Sequence, residues 1–329
     1  MKCGSLVLAT DQGLGVMALD FFRNGIVTHP IIVQHGSRVN HYEWYPPTTH
    51  RHENNTTRSY ILNSGIDTII FFETPFDWVL IPFCKLHGIR TAIMPMHECM
   101  PKSWPFQPDV VLNPSALEQM LYPHGTFIPV PVSRPWKLRT KAEVFVHNAG
   151  NGGLLGRNGT AELIEAIALV KSDAKFIIRS QSPLIPVLER EIALLSANHD
   201  IDYRVGSIEW DHLYSEGDVF VFPEKFNGLS LPLQEAYASG MAVMCGARFP
   251  MTEWLPHKIM IPTDRYNRRS INPAFQEFDE AVILPSDIAL HIDEWYGKDI
   301  SHLSHRGKVW AEQTSWDVLK PRYLEALSK

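Results

Sequence analysis

The chain has 329 residues, 45% of them hydrophobic and 20% charged. That balance excludes extended disorder, and the length suits two domains of about 100–200 residues each. Thirty Lys and Arg against 36 Asp and Glu leave a formal charge of −6, so no global basic field points to nucleic acid. The four cysteines, Cys3, Cys84, Cys99 and Cys245, stand far apart with no C-x-x-C pair. Such spacing argues against a zinc cluster or a disulfide framework and fits a reducing cytoplasm. No apolar run approaches about 18 residues, so no membrane-spanning helix is expected. The opening MKCGSLVLATDQGLG reads as a first buried strand rather than a signal peptide.

Short apolar runs alternate with helix-like stretches along the chain. Strands are expected at Ser5–Thr10, Ile31–Gln34, Thr68–Phe72, Thr91–Pro95 and Val110–Asn113, with an amphipathic helix over Val16–Phe22. Runs so short and so apolar suit strands buried on both faces, as in a parallel sheet with helical crossovers. Pro129–Lys141 holds three prolines and no usable periodicity, and reads as an interdomain linker. After it the alternation restarts. Strands are expected at Val144–His147, Lys175–Arg179, Asp202–Val205, Asp218–Phe222 and Ala242–Cys245. Helices are expected at Thr160–Val170, capped by Thr160, at Leu184–Ser196, and at Leu231–Ser239, closed by Gly240. Arg265–Phe278 reads as an irregular loop, and Lys308–Leu327 as a Trp-rich helix interrupted by Pro321. The expected divisions are 1–135, 136–305 and a C-terminal helical segment 306–329.

The chemistry concentrates in Val219–Cys245, VFVFPEKFNGLSLPLQEAYASGMAVMC. A strand ends at Pro223, and a loop with Gly228 leads into a helix that begins near Leu231. Exposed backbone amides at a helix N-terminus form a ready anion site, suited to a nucleotide diphosphate. Glu235, one turn into that helix, reads either as a carboxylate for ribose hydroxyls or as an ordinary acidic first-turn residue. A second signal is VHNAGNGGLLGRNGTAELIEA at Val146–Ala166, where five glycines crowd a strand–helix turn beside Arg157. Small residues let a backbone approach phosphates, and an Arg could neutralise them; a flexible exposed loop is the alternative. The string is neither a P-loop nor a dinucleotide fingerprint. Arg179, after its strand, and Lys225 compete as a further phosphate contact, each readable also as a solvated cation.

The string from Val219 resembles the donor-site motif of GT-B glycosyltransferases, in particular the retaining enzymes that carry E-x7-E. Asn227 stands at the first Glu, followed by Gly228, Leu229, Ser230, Leu231, Pro232, Leu233 and Gln234, with Glu235 at the second. Ala236, Ala238 and Gly240 continue the match, and the resemblance covers residues 140–255; the first half agrees only in architecture. It implies an α/β GT-B fold, two facing Rossmann-like domains with a cleft between them, and a C-terminal helix returning to the first domain. It implies sugar transfer with retention from a nucleotide-sugar, UDP- or GDP-linked, with no metal and no further cofactor. Glu235 would then hold the ribose, and Asn227 would touch the donor sugar with an acceptor–donor pair in place of a charge.

In the first half, TDQGLG at Thr10–Gly15 follows the opening strand, which makes Gly13 and Gly15 donor-side candidates under the resemblance. His35–Arg38, Glu73 and His97–Glu98 also follow strands, and Glu73 or His97 could orient an acceptor hydroxyl; a satisfied structural histidine is the alternative for His97. No G-x-S-x-G elbow and no H-E-x-x-H spacing occurs in the chain. The acceptor stays open among a soluble glycan, a small molecule and hydroxymethylated DNA. Local support for DNA would come from Arg134, Lys137, Arg139, Lys141, Arg265, Arg268 and Arg269, with Trp44, Tyr45 and Trp136 as stacking groups. A sugar-nucleotide epimerase and a non-catalytic nucleotide-sugar binder are the other readings.

Overall fold

A computed structural model describes residues 1–7, 10, 13–34, 47–50, 54–151 and 154–328. Leu8, Ala9, Asp11, Gln12, the HGSR segment, Trp44, Tyr45, Gly152 and Gly153 lie outside the described residues. The chain divides into two compact units. One comprises Met1–Pro131, Ser270–Glu277 and Trp316–Lys329; the other comprises Val132–Arg269 and Phe278–Ser315.

The first unit runs β1 (Cys3–Val7), α1 (Gly13–Arg23), β2 (His29–Gln34), β3 (Pro47–His50), α2 (Asn54–Ser64) and β4 (Thr68–Glu73). It continues through α3 (Leu80–Leu86), β5 (Arg90–Pro95), β6 (Val110–Asn113), α4 (Ala116–Leu121) and β7 (Thr126–Phe127). Among the described residues its strands form one parallel sheet in the order β3-β2-β1-β4-β5-β6-β7. The central strands are the apolar ones, as a parallel sheet covered on both faces requires: β4 is buried from Thr68 to Phe72 and β5 from Thr91 to Pro95, whereas the edge strand β7 is exposed.

The second unit runs β8 (Val144–Gly150), α5 (Thr160–Ile167), β9 (Lys175–Ser180), α6 (Pro186–Leu195), β10 (Asp200–Val205) and β11 (Val219–Val221). It continues with α7 (Leu231–Ala238), β12 (Ala242–Met244), β13 (Tyr266–Arg269), β14 (Phe278–Ala281), α8 (Pro285–Trp295) and α9 (Ser301–Gln313). The last helix, α10 (Trp316–Ser328), belongs to the first unit. The parallel sheet of the second unit has the order β10-β9-β8-β11-β12. Phe145, Phe176, Ile164 and Ile288 pack in one core cluster, and Phe220, Phe222, Leu233 and Tyr237 in another. Each sheet reverses its strand order once, between β1 and β4 and between β8 and β11. Open α/β folds bind ligands at the carboxyl ends of strands at such a switch point.

Three local expectations are corrected. Thr160 does not cap α5: Gly159 does so at φ +71°, and the Thr160 hydroxyl turns to His147 Nε2 at 2.9 Å. Arg265–Phe278 contains the antiparallel pairing of β13 with β14, held by Arg268–Asp279 and Arg269–Glu280 ion pairs. Pro321 lies inside α10, where its missing N–H forgoes only a bond to a first-turn carbonyl; the break falls at Thr314–Ser315. Helix α10 is fastened by aromatic packing, with the Phe21 ring 5.1 Å from Trp316 and 5.0 Å from Tyr323, edge to face.

The basic residues offered for nucleic acid differ in their surroundings. The buried Arg139 donates to the carbonyls of Lys137 (2.7 Å), Tyr214 (2.8 Å) and Gly217 (2.9 Å), and so ties the linker to the second unit. Lys141 pairs with Glu143, Arg265 approaches Asp264, and Arg134 is paired internally. Trp136 donates to the Ser304 carbonyl and carries Lys308 over its ring. Arg139→Ala would leave several buried carbonyls without a donor. It should lower the unfolding free energy by about 3 kcal/mol, measured by denaturant titration.

Candidate nucleotide-sugar site

Two loops of the second unit meet at its switch point. One runs from the end of β8 to Gly159, the other from the end of β11 to Ser230. Gly159 makes the meeting possible: a Cβ there would stand 2.2 Å from the Pro223 carbonyl oxygen. The Arg157 carbonyl accepts the Lys225 N–H at 2.8 Å, so the loops are also joined by backbone.

The second loop is braced from below. Arg248 donates Nε to the Glu224 carbonyl (3.0 Å), Nη1 to the Asn227 carbonyl (2.9 Å) and Nη2 to the Glu224 carboxylate (3.0 Å). Both side chains of that ion pair are at most 5% exposed. Above it, Asn227 spends its carbonyl oxygen and one of its two N–H donors on the loop. Nδ2 donates to Glu224 Oε1 at 3.1 Å, and Oδ1 accepts the N–H groups of Leu229 (2.9 Å) and Ser230 (3.1 Å). The amide therefore shapes the turn, with the Glu224 carboxylate as its acceptor.

The turn leaves specific amides for a ligand. Leu233 and Gln234 donate back to the Ser230 carbonyl, and Pro232 has no N–H. Among the described residues, the N–H groups of Gly228 and Leu231 are left at the N-terminal end of α7. Ser230 enters the helix at φ +45°, a left-handed conformation that glycine adopts freely, and its hydroxyl is buried with no hydrogen-bond partner.

Glu235 lies one turn in, its side chain 13% exposed. Oε1 is paired with Arg134 Nη2 at 2.5 Å, and Oε2 accepts from the Tyr214 hydroxyl at 2.9 Å. Burial and the neighbouring carboxylate hold the Tyr214 phenol well above its ordinary range, so it remains a donor. Arg134 lies with its guanidinium carbon 3.5 Å from the centre of the Trp210 ring and donates Nη1 to the Trp210 carbonyl at 2.7 Å.

The remaining second-unit candidates divide. Arg157, half-buried, holds its guanidinium 6.0 Å from the Phe226 ring, beside both loops. Lys225 is tied by its amine to Glu162 of α5 at 2.5 Å. Arg179 is not free for phosphate: it is buried, donates to the Leu213 carbonyl at 2.5 Å and pairs with Glu216. Glu216 is shared with Arg204, and a cavity of about 460 Å³ opens beside this network. His147 is a structural histidine. Its Nδ1 donates to the Val221 carbonyl, Nε2 accepts from Thr160, and burial pushes its pKa down to about 4.

In the first unit, Gly13 opens α1 at the surface and Gly15 is buried in its first turn. Glu73 ends β4 at φ +66°, a strained conformation for a side-chain-bearing residue, and accepts from the Cys99 thiol at 3.4 Å. His97 is engaged at both ring nitrogens: Nε2 donates to the Glu277 carbonyl (3.0 Å), and Nδ1 faces the Tyr122 hydroxyl (3.3 Å). Its backbone N–H meets the buried carboxyl of Glu118, which also bonds the Ser115 hydroxyl. His97 thus holds a turn together. Among the described residues no cluster of His, Cys, Asp or Glu stands at metal-holding distance, and no helix is long and apolar enough to cross a membrane.

With this geometry in hand, solved structures give the fold its name. HepE from Anabaena, in complex with UDP and glucose, superposes with a TM-score of 0.70 at 12% identity, over 100% of this chain and 99% of that one. Sucrose-phosphate synthase from Thermosynechococcus elongatus gives 0.65 at 14% identity, over 99% and 98%. The lipopolysaccharide outer core galactosyltransferase WaaB gives 0.63 at 12% identity, over 99% of each chain. The chain has the GT-B fold. No protein-family model and no curated protein sequence matches it. Within the GT-B frame, the two loops of the second unit follow the carboxyl ends of β8 and β11. Arg134, Trp210, Glu224 and Arg248 were not legible as site residues; only the acidic residue three places before Asn227 offered a sequence signal.

Glu118 makes a pH prediction. Burial, with a smaller contribution from Glu98, raises its carboxyl from 4.5 to about 7, so the folded state keeps a proton that the unfolded chain releases. Stability should therefore fall as pH rises from about 4.5 to about 7 and level off above. Glu118→Gln, which keeps the shape without the titration, should flatten that slope in urea unfolding measured across this window.

Proposed function

We propose that this protein is a GT-B glycosyltransferase that moves a sugar from a nucleotide-sugar donor to an acceptor hydroxyl. The carrying observation is the pre-set Glu235 carboxylate one turn inside α7, next to the open amides of Gly228 and Leu231. A nucleoside diphosphate matches both parts: its phosphates suit the helix N-terminus, and its ribose hydroxyls suit the lone pairs of Glu235 that Arg134 and Tyr214 leave open. HepE, whose structure holds UDP and glucose, supports a UDP-linked hexose as the donor class.

In this reading the bond from the sugar carbon to the diphosphate oxygen breaks as the acceptor oxygen bonds to that carbon. The acceptor proton passes to the departing phosphate oxygen. Negative charge grows on the diphosphate, where the amides, the α7 dipole and Arg157 stabilise it without a metal. The resemblance to E-x7-E enzymes supports retention at the sugar carbon. Asn227 contributes by holding the turn, with Glu224 behind it as the local carboxylate, and Lys225 sets the neighbouring loop through Glu162. Glu73, strained at the end of β4, is the acceptor-side carboxylate of this reading, whereas Arg179 and His97 serve the fold. A soluble glycan or small molecule is the favoured acceptor class, because the arginines that would support DNA are ion-paired or buried.

A panel of nucleotide-sugars tests this by thermal stabilisation. The matching donor at about 100 times its dissociation constant should add about 2.7 kcal/mol of stability. Glu235→Ala should weaken binding of the nucleoside diphosphate by about tenfold or more in calorimetry. A fold-intact variant with unchanged affinity would remove Glu235 from the site.

A further inference from the structure

We infer that Arg134 is a positioning residue for Glu235, and that the linker arginine sets how the site reads the nucleotide's ribose. The inference rests on the donor-site reading above and adds a residue to it. Arg134 stands three residues into the second unit, 101 positions before Glu235, yet its side chain is 2% exposed and committed to that carboxylate. Three contacts fix the guanidinium: the Trp210 ring beneath it, the Trp210 carbonyl on Nη1, and Glu235 Oε1 on Nη2. Its Nε has no hydrogen-bond partner. A buried arginine that spends one fork nitrogen on a single carboxylate oxygen, and leaves Nε unpaired, is placed for orientation more than for full satisfaction.

The consequence is geometric. A carboxylate offers about four lone-pair directions over two oxygens. Arg134 takes one on Oε1 and Tyr214 takes one on Oε2, so one direction per oxygen remains, spaced as a vicinal diol requires. The rotamer is locked before ligand arrives, and the buried guanidinium balances the charge that a diol alone would not. Without Arg134 the carboxylate is free to swing toward solvent and the diol loses its fixed partner.

The test compares UDP with its 2′,3′-dideoxy analogue by calorimetry, in the wild type and in Arg134→Gln, Arg134→Lys and Glu235→Gln. Hydrogen bonds to a charged group predict that the wild type prefers UDP by about tenfold or more. Arg134→Gln should bring the preference near one, as Glu235→Gln does, while binding of the dideoxy analogue changes little. Arg134→Lys, which keeps the charge and the fold but not the planar fork, should give an intermediate preference. A preference that survives intact in a folded Arg134→Gln or Arg134→Lys protein overturns the positioning role while leaving the donor-site reading in place. Absence of any preference in the wild type overturns that reading, and the inference with it.

Discussion

Beneath the loop that enters α7, Arg248 and Glu224 form an ion pair removed from water, and the guanidinium also holds two loop carbonyls. Breaking such a pair by removing one partner costs about 3–5 kcal/mol, because the other charge stays buried alone. The pair therefore fixes one conformation of residues 224–230. Asn227 can then present its oxygen to two amides, Ser230 can be forced to positive φ, and the remaining amides point where a ligand would lie. Neighbouring loop geometry follows, since Gly159 is pressed against Pro223 and Lys225 is drawn to Glu162.

Charge is arranged in steps around this brace. The carboxylates of Glu224, Glu235, Glu162 and Glu216 each face a cation, and three of those four cations, Arg248, Arg134 and Arg179, have side chains at most 5% exposed. Cations locked this way define the positions of acidic groups and backbone, and they are not available to meet an incoming phosphate. Arg157 stands half-buried at the junction of both loops, with the Phe226 ring as its neighbour.

Much of the fold was legible because β4, β5, β6, β8, β9, β11 and β12 are buried on both faces and so spell short apolar runs. The β13–β14 pairing was not: YNRR at Tyr266–Arg269 is exposed at every position, and cross-strand ion pairs stand in for an apolar pattern. Pro321 misled for a related reason, since packing of Trp316 and Tyr323 carries α10 past a residue that propensity alone would place at a break. At the site, the string from Pro223 to Gly240 revealed a loop and a helix N-terminus, with Glu235 one turn into the helix. What it could not reveal was the far end of each contact. Arg134 reaches Glu235 across 101 residues, and the three hydrogen-bond partners of Asn227, Glu224, Leu229 and Ser230, carry no signature in the string.

In the proposed reading, the loop before α7 and the Glu235 carboxylate together hold a nucleoside diphosphate. A crystal structure of the protein with UDP tests it most directly. The account predicts ribose hydroxyls within hydrogen-bonding distance of Glu235, phosphate oxygens at the amides of Gly228 and Leu231, and Arg134 still paired with Glu235 over Trp210. UDP seated away from α7, or ribose bound only after Arg134 has been displaced from Glu235, would contradict it.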